Sequence, residues 1–251
     1  MTGPARTGPG QAREPERRGR RRFGVRAIVA FVAAVLFAVL AVLVRSSAGP
    51  IVRLDRRTSA RLHGYALNHH SFTSVMRAVS NSGTTLVWTI VLALVTGWLL
   101  YRRLFKLAAF VVVTDAGSLL LNNLIKLAVG RARPHLSDPV AEAAGKSFPS
   151  GHSQAAIVGF AILVAVFLPA LARAVRPWFI GLAAVLVLLI GFSRIALGVH
   201  YLSDVVGAYL IGGVWFIGMA SAFGAWRRET GRPAPSATEG LEPEQGDRLT
   251  P

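Results

Sequence analysis

Residues 178–194 read WFIGLAAVLVLLIGFSR, an apolar run with no charge before the Arg194 that ends it. A helix needs roughly 20 apolar residues to cross the hydrocarbon of a bilayer, so this run predicts a membrane span. Runs of the same kind predict six spans in total, at 27–44, 84–101, 107–125, 153–171, 178–194 and 204–225. Six such runs in 251 residues leave too little polar surface for a soluble helical protein.

The composition also indicates a membrane protein. The chain is 53% hydrophobic and 16% charged, whereas soluble domains carry roughly 25% charged residues. Cysteine is absent, which excludes disulfides, thiolate catalysis and zinc bound by cysteine. We therefore predict an all-α, polytopic fold in which six transmembrane helices form one bundle over residues 27–226.

The net charge of +16 would suit a nucleic-acid partner, but the arrangement of the arginines argues against one. Eight of them precede the first span, at positions 6, 13, 17, 18, 20, 21, 22 and 26. A basic segment without hydrophobic periodicity is typical of a disordered arm. Beside a span it anchors the chain to anionic lipid, at about 1 kcal/mol per arginine. We predict disordered tails at 1–26 and 227–251 and no nucleic-acid partner.

Three short motifs place polar side chains at the ends of the predicted spans. They are Lys126-x6-Arg133-Pro134, Pro149-Ser150-Gly151-His152 and Ser193-Arg194-x5-His200-x3-Asp204. The short loops 102–106 and 172–177 are basic, which assigns them and both termini to the cytoplasm, although segment 45–83 is basic as well. Counting crossings then places all three motifs on the opposite, outer face.

Lys126, Arg133 and Arg194 are three cations at hydrocarbon depth or just above it. They would repel one another unless an anion lay between them, and charged residues near spans are commonly functional. A phosphoester gains negative charge on its equatorial oxygens during transfer, so fixed cations suit it. The alternative is that these side chains snorkel to the interface as anchors, which explains Lys126 alone better than all three.

The second motif predicts the start of the fourth span. Ser150 is a good N-cap, and Gly151 allows the backbone to approach a ligand closely. The free N–H groups of the first turn would face an anion, with His152 beside the same oxygens. A simple turn and cap would explain the proline, serine and glycine but not the histidine.

His200 and Asp204 are spaced i to i+4, so both side chains lie on one side of a helix. A carboxylate on one ring nitrogen fixes the tautomer and leaves the other nitrogen free to attack a substrate. Between Arg194 and His200, Gly198 predicts a break in the helix. The alternative is a helix-capping aspartate beside a structural histidine.

Together the motifs resemble the signature motifs of the type 2 phosphatidic acid phosphatase superfamily, the lipid phosphate phosphatases, without departure at any motif position. The motifs cover 126–204, and the six-span plan extends the resemblance over 27–226. It implies that Lys126, Arg133 and Arg194 bind the phosphoryl oxygens, aided by Ser150 and the Gly151 amide. It further implies that His200, oriented by Asp204, attacks phosphorus, and that His152 protonates the leaving oxygen.

The resemblance implies hydrolysis of a lipid phosphate or diphosphate through a phosphohistidine at the outer face, with neither metal nor cofactor. The expected partners are the bilayer and a lipid such as undecaprenyl diphosphate, phosphatidylglycerol phosphate or phosphatidic acid. Alternatives are a phosphotransferase with an acceptor hydroxyl, a vanadate-loaded haloperoxidase, and a non-catalytic binder or transporter of anionic lipids. The His200/Asp204 pair favours an enzyme, because a binder needs cations but no oriented nucleophile.

Two features lie outside the motifs. A polar stripe along the third span, formed by Asp115, Ser118, Asn122 and Lys126, is expected to meet polar groups of neighbouring spans and orient Lys126. Its alternative role is to hold helices together without an effect on catalysis. Segment 45–83 predicts one or two short helices on the membrane surface, and its histidines (63, 69 and 70) are expected to be surface residues rather than metal ligands.

Overall fold

The computed structural model describes residues 13–47, 49–136, 140–141, 143–229 and 240–249, and within them it is helical, with no β-strand. The long helices are α1 (Arg13–Arg45), α2 (Pro50–Asn68), α3 (His70–Ser82), α4 (Thr85–Tyr101), α5 (Phe105–Val129), α6 (Gly151–Phe167), α7 (Arg176–Ala196) and α8 (Leu202–Glu229). Short 3₁₀ helices follow at Leu168–Ala170 and Pro243–Leu249.

The predicted all-α membrane fold is confirmed, with one difference in the spans. In the described residues, five helical segments are long and apolar enough to cross a bilayer: Gly24–Arg45, Phe105–Val129, Gly151–Ala170, Arg176–Ala196 and Leu202–Arg227. The remaining predicted span corresponds to α4, which has only 17 residues. Helices α3 and α4 together are long enough to cross a bilayer, with a bend of 43° between them. When this pair is taken as one span, the structure has six spans in its described residues.

The helix ends that carry the motifs follow from local sequence. α5 ends at Val129 because Gly130 adopts the left-handed conformation, with φ of 69°, and its N–H bonds to the Lys126 carbonyl at 3.0 Å. α6 begins at Gly151, where the Ser150 side chain accepts a bond from the Ser153 N–H, as expected for an N-cap. Between α7 and α8, Gly198 has φ of 71°, which is the break that the sequence predicts.

α6 is the central helix, since it packs against α4, α5, α7 and α8. The main core contains aromatic and aliphatic side chains from these helices, including Trp88, Leu92, Phe110, Ile162 and Phe223. α1 lies at the periphery against α8, and most of its apolar side chains face outward, as expected beside lipid. This bundle holds the two ends of α6 in fixed positions.

The tails differ from the predicted disorder where the structure describes them. α1 already begins at Arg13, while residues 1–12 lie outside the described part. α8 continues to Glu229, and residues 240–249 return to the bundle, where Leu241 and Leu249 are buried. The fully buried Arg227 pairs with Glu242 at 3.2 Å and with Glu244 at 2.7 Å. These ion pairs and the two leucines join this segment to the bundle.

Gly159 on α6 permits a close approach of α4. A Cβ atom at this position would lie 2.1 Å from the buried Trp88 ring, so the tryptophan would have to move. We expect Gly159→Ala to destabilise the protein by about 1–3 kcal/mol, which is typical of overpacking in a core. Thermal unfolding in detergent would measure the effect.

The matched control is Gly181→Ala on α7, because no atom lies within 4 Å of a Cβ there. Alanine at an open helical position is expected to be neutral or to stabilise by roughly 0.5–1 kcal/mol. An equal loss of stability in both variants would contradict the steric explanation.

Candidate active site

The three motifs meet at one end of the bundle, where α5 ends, α6 begins and α7 is joined to α8. The Ser150 N–H donates to the Asp204 carbonyl at 3.1 Å, which ties the start of α6 to the start of α8. The Ser147 N–H donates to the Arg131 carbonyl at 2.8 Å, which ties the loop before α6 to the loop after α5. Side chains from all three motifs therefore surround one volume.

His200 and Asp204 form the pair that their spacing predicts. Nδ1 of His200 lies 3.3 Å from Oδ2 of Asp204, and both residues are buried, with exposed fractions of 1% and 0%. Because a carboxylate only accepts hydrogen bonds, this contact assigns the ring proton to Nδ1. Nε2 then carries the lone pair and accepts a hydrogen bond at 3.0 Å from Nη1 of Arg133, a cation assigned to phosphate by the resemblance.

Burial lowers the pKa of His200 from 6.5 to about 4, against the opposing effect of Asp204. We therefore expect His200 to stay neutral at about pH 5, where an ordinary histidine is protonated. ¹⁵N-histidine NMR of the detergent-solubilised protein should show, at this pH, a neutral Nδ1–H imidazole signal that is missing from His200→Asn. Titration of His200 near pH 6.5 would contradict the burial argument.

The same shift has a consequence for stability. The unfolded chain takes up this proton near pH 6.5 and the folded chain only near 4. His200 therefore makes the protein less stable as the pH falls from 6.5 towards 4.

The contacts of the predicted cations differ. Arg133 is held by backbone carbonyls, with Nη1 donating to Val199 at 2.9 Å and Nη2 donating to Ala144 at 3.0 Å. Arg194 is 6% exposed; Nη1 donates to the Ser80 hydroxyl, and Nε has no hydrogen-bond partner in the described part of the chain. An oxyanion could satisfy this buried donor.

Lys126 lies beside the first turn of α6, with its Nζ 3.4 Å from where a Cβ of Gly151 would be. Among the described residues this Nζ has neither a hydrogen bond nor an ion pair. The buried Ser150 hydroxyl accepts bonds from Ser153, so its own proton remains available for an anion. His152 follows directly and lies within range of the charges on Arg194, Lys126 and Arg133.

The polar stripe on α5 partly follows the prediction. Asn122 donates to Gln154 on α6 at 2.8 Å, and Gln154 donates to the Ser118 hydroxyl at 3.0 Å. Ser118 and Asn122 thus meet a polar group of a neighbouring span. Asp115 is half-buried and forms no hydrogen bond with another described residue.

Segment 45–83 forms two helices, α2 and α3, that pack against α7, and α2 also contacts α8. The expectation of surface histidines is wrong for His63, which is 5% exposed, whereas His69 is exposed and stacks on Tyr65. Within the described residues no three histidine, aspartate or glutamate side chains are grouped to hold a metal ion.

Sequence reasoning missed several polar residues behind the motifs. Arg131 bonds to Asp204 and to Asp55, while the Ser147 hydroxyl also donates to Asp204. For two of these residues the sequence contains a positional signal. Arg131 lies two residues before the motif Arg133, and Asp55 is the single acidic residue among the arginines of segment 45–83.

Comparison with known proteins finds a family and several relatives for this chain. The family model of the PAP2 superfamily matches residues 104–228. A phosphatidylglycerophosphatase B of Bacillus subtilis is 31% identical over 144 residues, which cover 55% of this chain and 68% of that protein. A lipid A 1-phosphatase of Rhizobium etli is 38% identical over 119 residues, 44% of this chain and 47% of that protein.

The fold has a counterpart among solved structures. The crystal structure of a transmembrane PAP2-type phosphatidylglycerolphosphate phosphatase from Bacillus subtilis superposes with a TM-score of 0.67 at 23% identity. The match covers 77% of this chain and 94% of the other. From the shared sequence, and with the fold in agreement, the chain belongs to the PAP2 superfamily.

Proposed function

We propose that this protein hydrolyses a lipid phosphate or diphosphate through a phosphohistidine intermediate on His200. The observation that carries the proposal is the position of the imidazole. Nδ1 faces the Asp204 carboxylate, while Nε2 faces Arg133 in a volume that Lys126, Arg194 and the first turn of α6 also border. An oriented nucleophile inside a set of cations suits attack on phosphorus better than simple anion binding.

In the first step, Nε2 of His200 attacks phosphorus while the bond from phosphorus to the leaving oxygen breaks. Lys126, Arg133 and Arg194, with the Ser150 hydroxyl and the Gly151 N–H, hold the other phosphoryl oxygens and stabilise their growing charge. His152 gives a proton to the leaving oxygen, so that a neutral alcohol, or the lipid monophosphate of a diphosphate, departs. Asp204 stabilises the positive charge on the phosphorylated ring.

In the second step, water attacks phosphorus and gives a proton to His152 as the bond from phosphorus to Nε2 breaks. Inorganic phosphate leaves, and both histidines return to their initial state. Side chains alone supply the nucleophile, the proton donor and the positive charge, so the proposed reaction needs neither a metal ion nor a cofactor.

The substrate and the orientation are part of the same proposal. The relatives are named for phosphatidylglycerophosphate and lipid A, which supports a phosphorylated membrane lipid as substrate. The site lies at the ends of membrane-spanning helices, where a phosphate headgroup meets its hydrocarbon tail. The basic inner loops favour an active site on the outer face and cytoplasmic termini.

The test is phosphate release by the purified protein in detergent, with EDTA present. The panel contains phosphatidylglycerol phosphate, phosphatidic acid, undecaprenyl diphosphate and lipid A, each with and without an acceptor lipid alcohol. We expect inorganic phosphate from at least one lipid. Labelled phosphate on the acceptor would instead identify a transferase, and no product from any lipid would favour a binder of anionic lipids.

A further inference from the structure

Asp204 is connected to helix α2 by a series of ion pairs. Its Oδ2 faces His200 and accepts bonds from the Tyr201 N–H, at 2.9 Å, and from the Ser147 hydroxyl. Its Oδ1 accepts from Nη1 of Arg131 at 2.6 Å. Nη2 of the same arginine donates to Oδ2 of Asp55 at 2.7 Å. Arg131 therefore joins two carboxylates.

The role of Arg131 differs from that of the motif cations Lys126, Arg133 and Arg194. Both terminal nitrogens are bonded to carboxylates, and its guanidinium lies 4.1 Å from the centre of the Tyr201 ring. Burial alone would lower the pKa of Arg131, but Asp204 and Asp55 raise it above its usual value, so the side chain stays charged. Its charge acts on the carboxylate behind His200 rather than directly on phosphate.

The balance of these charges matters for the proposed chemistry. When Nε2 of His200 bonds to phosphorus, the ring becomes positive, and the negative charge of Asp204 must stabilise it. Arg131 holds this carboxylate in place but also offsets its charge. Asp55 adds a second negative charge on the far side of Arg131, so the three buried groups together carry a net charge of −1 beside the imidazole.

We propose that Asp55 and Arg131 are positioning residues for the reaction at His200. Arg131 fixes the Asp204 carboxylate against Nδ1, and Asp55 balances Arg131 so that Asp204 keeps its effect on the phosphorylated ring. Helix α2 is then part of the catalytic apparatus, although it contributes no motif residue. This inference rests on the proposed function.

Asp55 also has a contact that could be purely structural. Its Oδ1 accepts from the Ser203 N–H at 3.0 Å, in the first turn of α8, and Oδ2 accepts from the Ser203 hydroxyl. A carboxylate bound to the start of a helix stabilises it without any effect on chemistry. The experiment must therefore separate catalysis from stability.

Asp55→Asn removes the charge and keeps the shape. We expect kcat to fall by about 10- to 100-fold, as for outer residues that orient the ligands of metal sites. KM for the lipid should stay within about twofold, because no phosphate contact is lost. Ser203→Ala is the matched control: the Ser203 hydroxyl donates to Asp55 and accepts from Arg131, so its loss removes bonds to both side chains but keeps both charges. This variant should retain most of the activity.

A double-mutant cycle tests whether Asp55 affects catalysis through Arg131. In Arg131→Gln the positive charge that Asp55 balances is gone, although Asp55 keeps its bonds to Ser203, so adding Asp55→Asn should leave activity unchanged or raise it. A purely structural contact to α8 would make Asp55→Asn harmful in both backgrounds. If Arg131→Gln yields no folded protein, the rate of His200 phosphorylation in single turnovers of Asp55→Asn decides instead.

The proposal is overturned if Asp55→Asn keeps the wild-type kcat, or if it raises KM alone. It is also overturned if the loss of activity follows a loss of folded protein in thermal unfolding. Each of these outcomes requires an active wild-type enzyme. An inactive wild type with every lipid in the panel would overturn the proposed function itself, so the two failures are distinguishable.

Discussion

His200→Asn is expected to abolish phosphate release, with kcat lower by roughly 10⁴- to 10⁶-fold, as when the nucleophile of a catalytic unit is removed. The asparagine amide can still donate to Asp204, but it has no nitrogen lone pair at the position of Nε2. Lipid binding should persist, because Lys126, Arg133 and Arg194 are unchanged. The measurement is phosphate release together with rapid-quench labelling from a ³²P-labelled lipid.

The wild type should show acid-labile, base-stable label on His200 in the quench experiment, and His200→Asn should show none. His69→Asn serves as the control, because this exposed histidine stacks on Tyr65 at the end of α2 and belongs to no motif. It should keep wild-type activity. Label that persists in His200→Asn, or that maps to His152, would contradict the assigned nucleophile.

The convergence of the motifs could be predicted because it depends on local rules. Lys126 lies in the last turn of α5, four residues before the left-handed Gly130 that ends this helix, and Ser150 caps the start of α6. An even number of crossings between helix ends places them on one face, whatever the packing between spans. The i to i+4 spacing likewise brings His200 and Asp204 together. His200 lies just before α8, and Asp204 lies in its first turn.

The contacts behind the site could not be predicted, because they join distant parts of the chain. Asp55 is 76 residues from Arg131, and Ser80 is 114 residues from Arg194. In sequence, α2 has arginines around a lone aspartate, a pattern that also fits a solvated surface helix. Only the packing of α2 and α3 against α7 and α8 turns Asp55 inward.

The return of the C-terminal segment was missed for a similar reason. Its composition is polar and rich in proline and glycine, which is typical of disorder. The ion pairs of Glu242 and Glu244 with Arg227 depend on a buried arginine at the end of α8. Such a residue is not distinguishable in sequence from the basic residues at the ends of other spans.

His152→Asn is the second variant for which we expect a large effect, and its size should depend on the leaving group. His152 lies in the first turn of α6, within range of the charges on Arg194, Lys126 and Arg133, and in the proposed mechanism it protonates the leaving oxygen. Loss of a positioned proton donor lowers rates by about 10²- to 10⁴-fold. A lipid alkoxide needs that proton to depart, so lipid hydrolysis should show the full loss.

An aryl phosphate provides the control, because a nitrophenolate leaves without a proton. With this substrate, His152→Asn should still phosphorylate His200 but should lack the base that activates water for the second step. We therefore expect a burst of nitrophenol equal to the enzyme concentration, followed by slow turnover, in stopped-flow measurements. An equal loss on lipid and aryl phosphates, without a burst, would show that His152 binds phosphate and does not transfer protons.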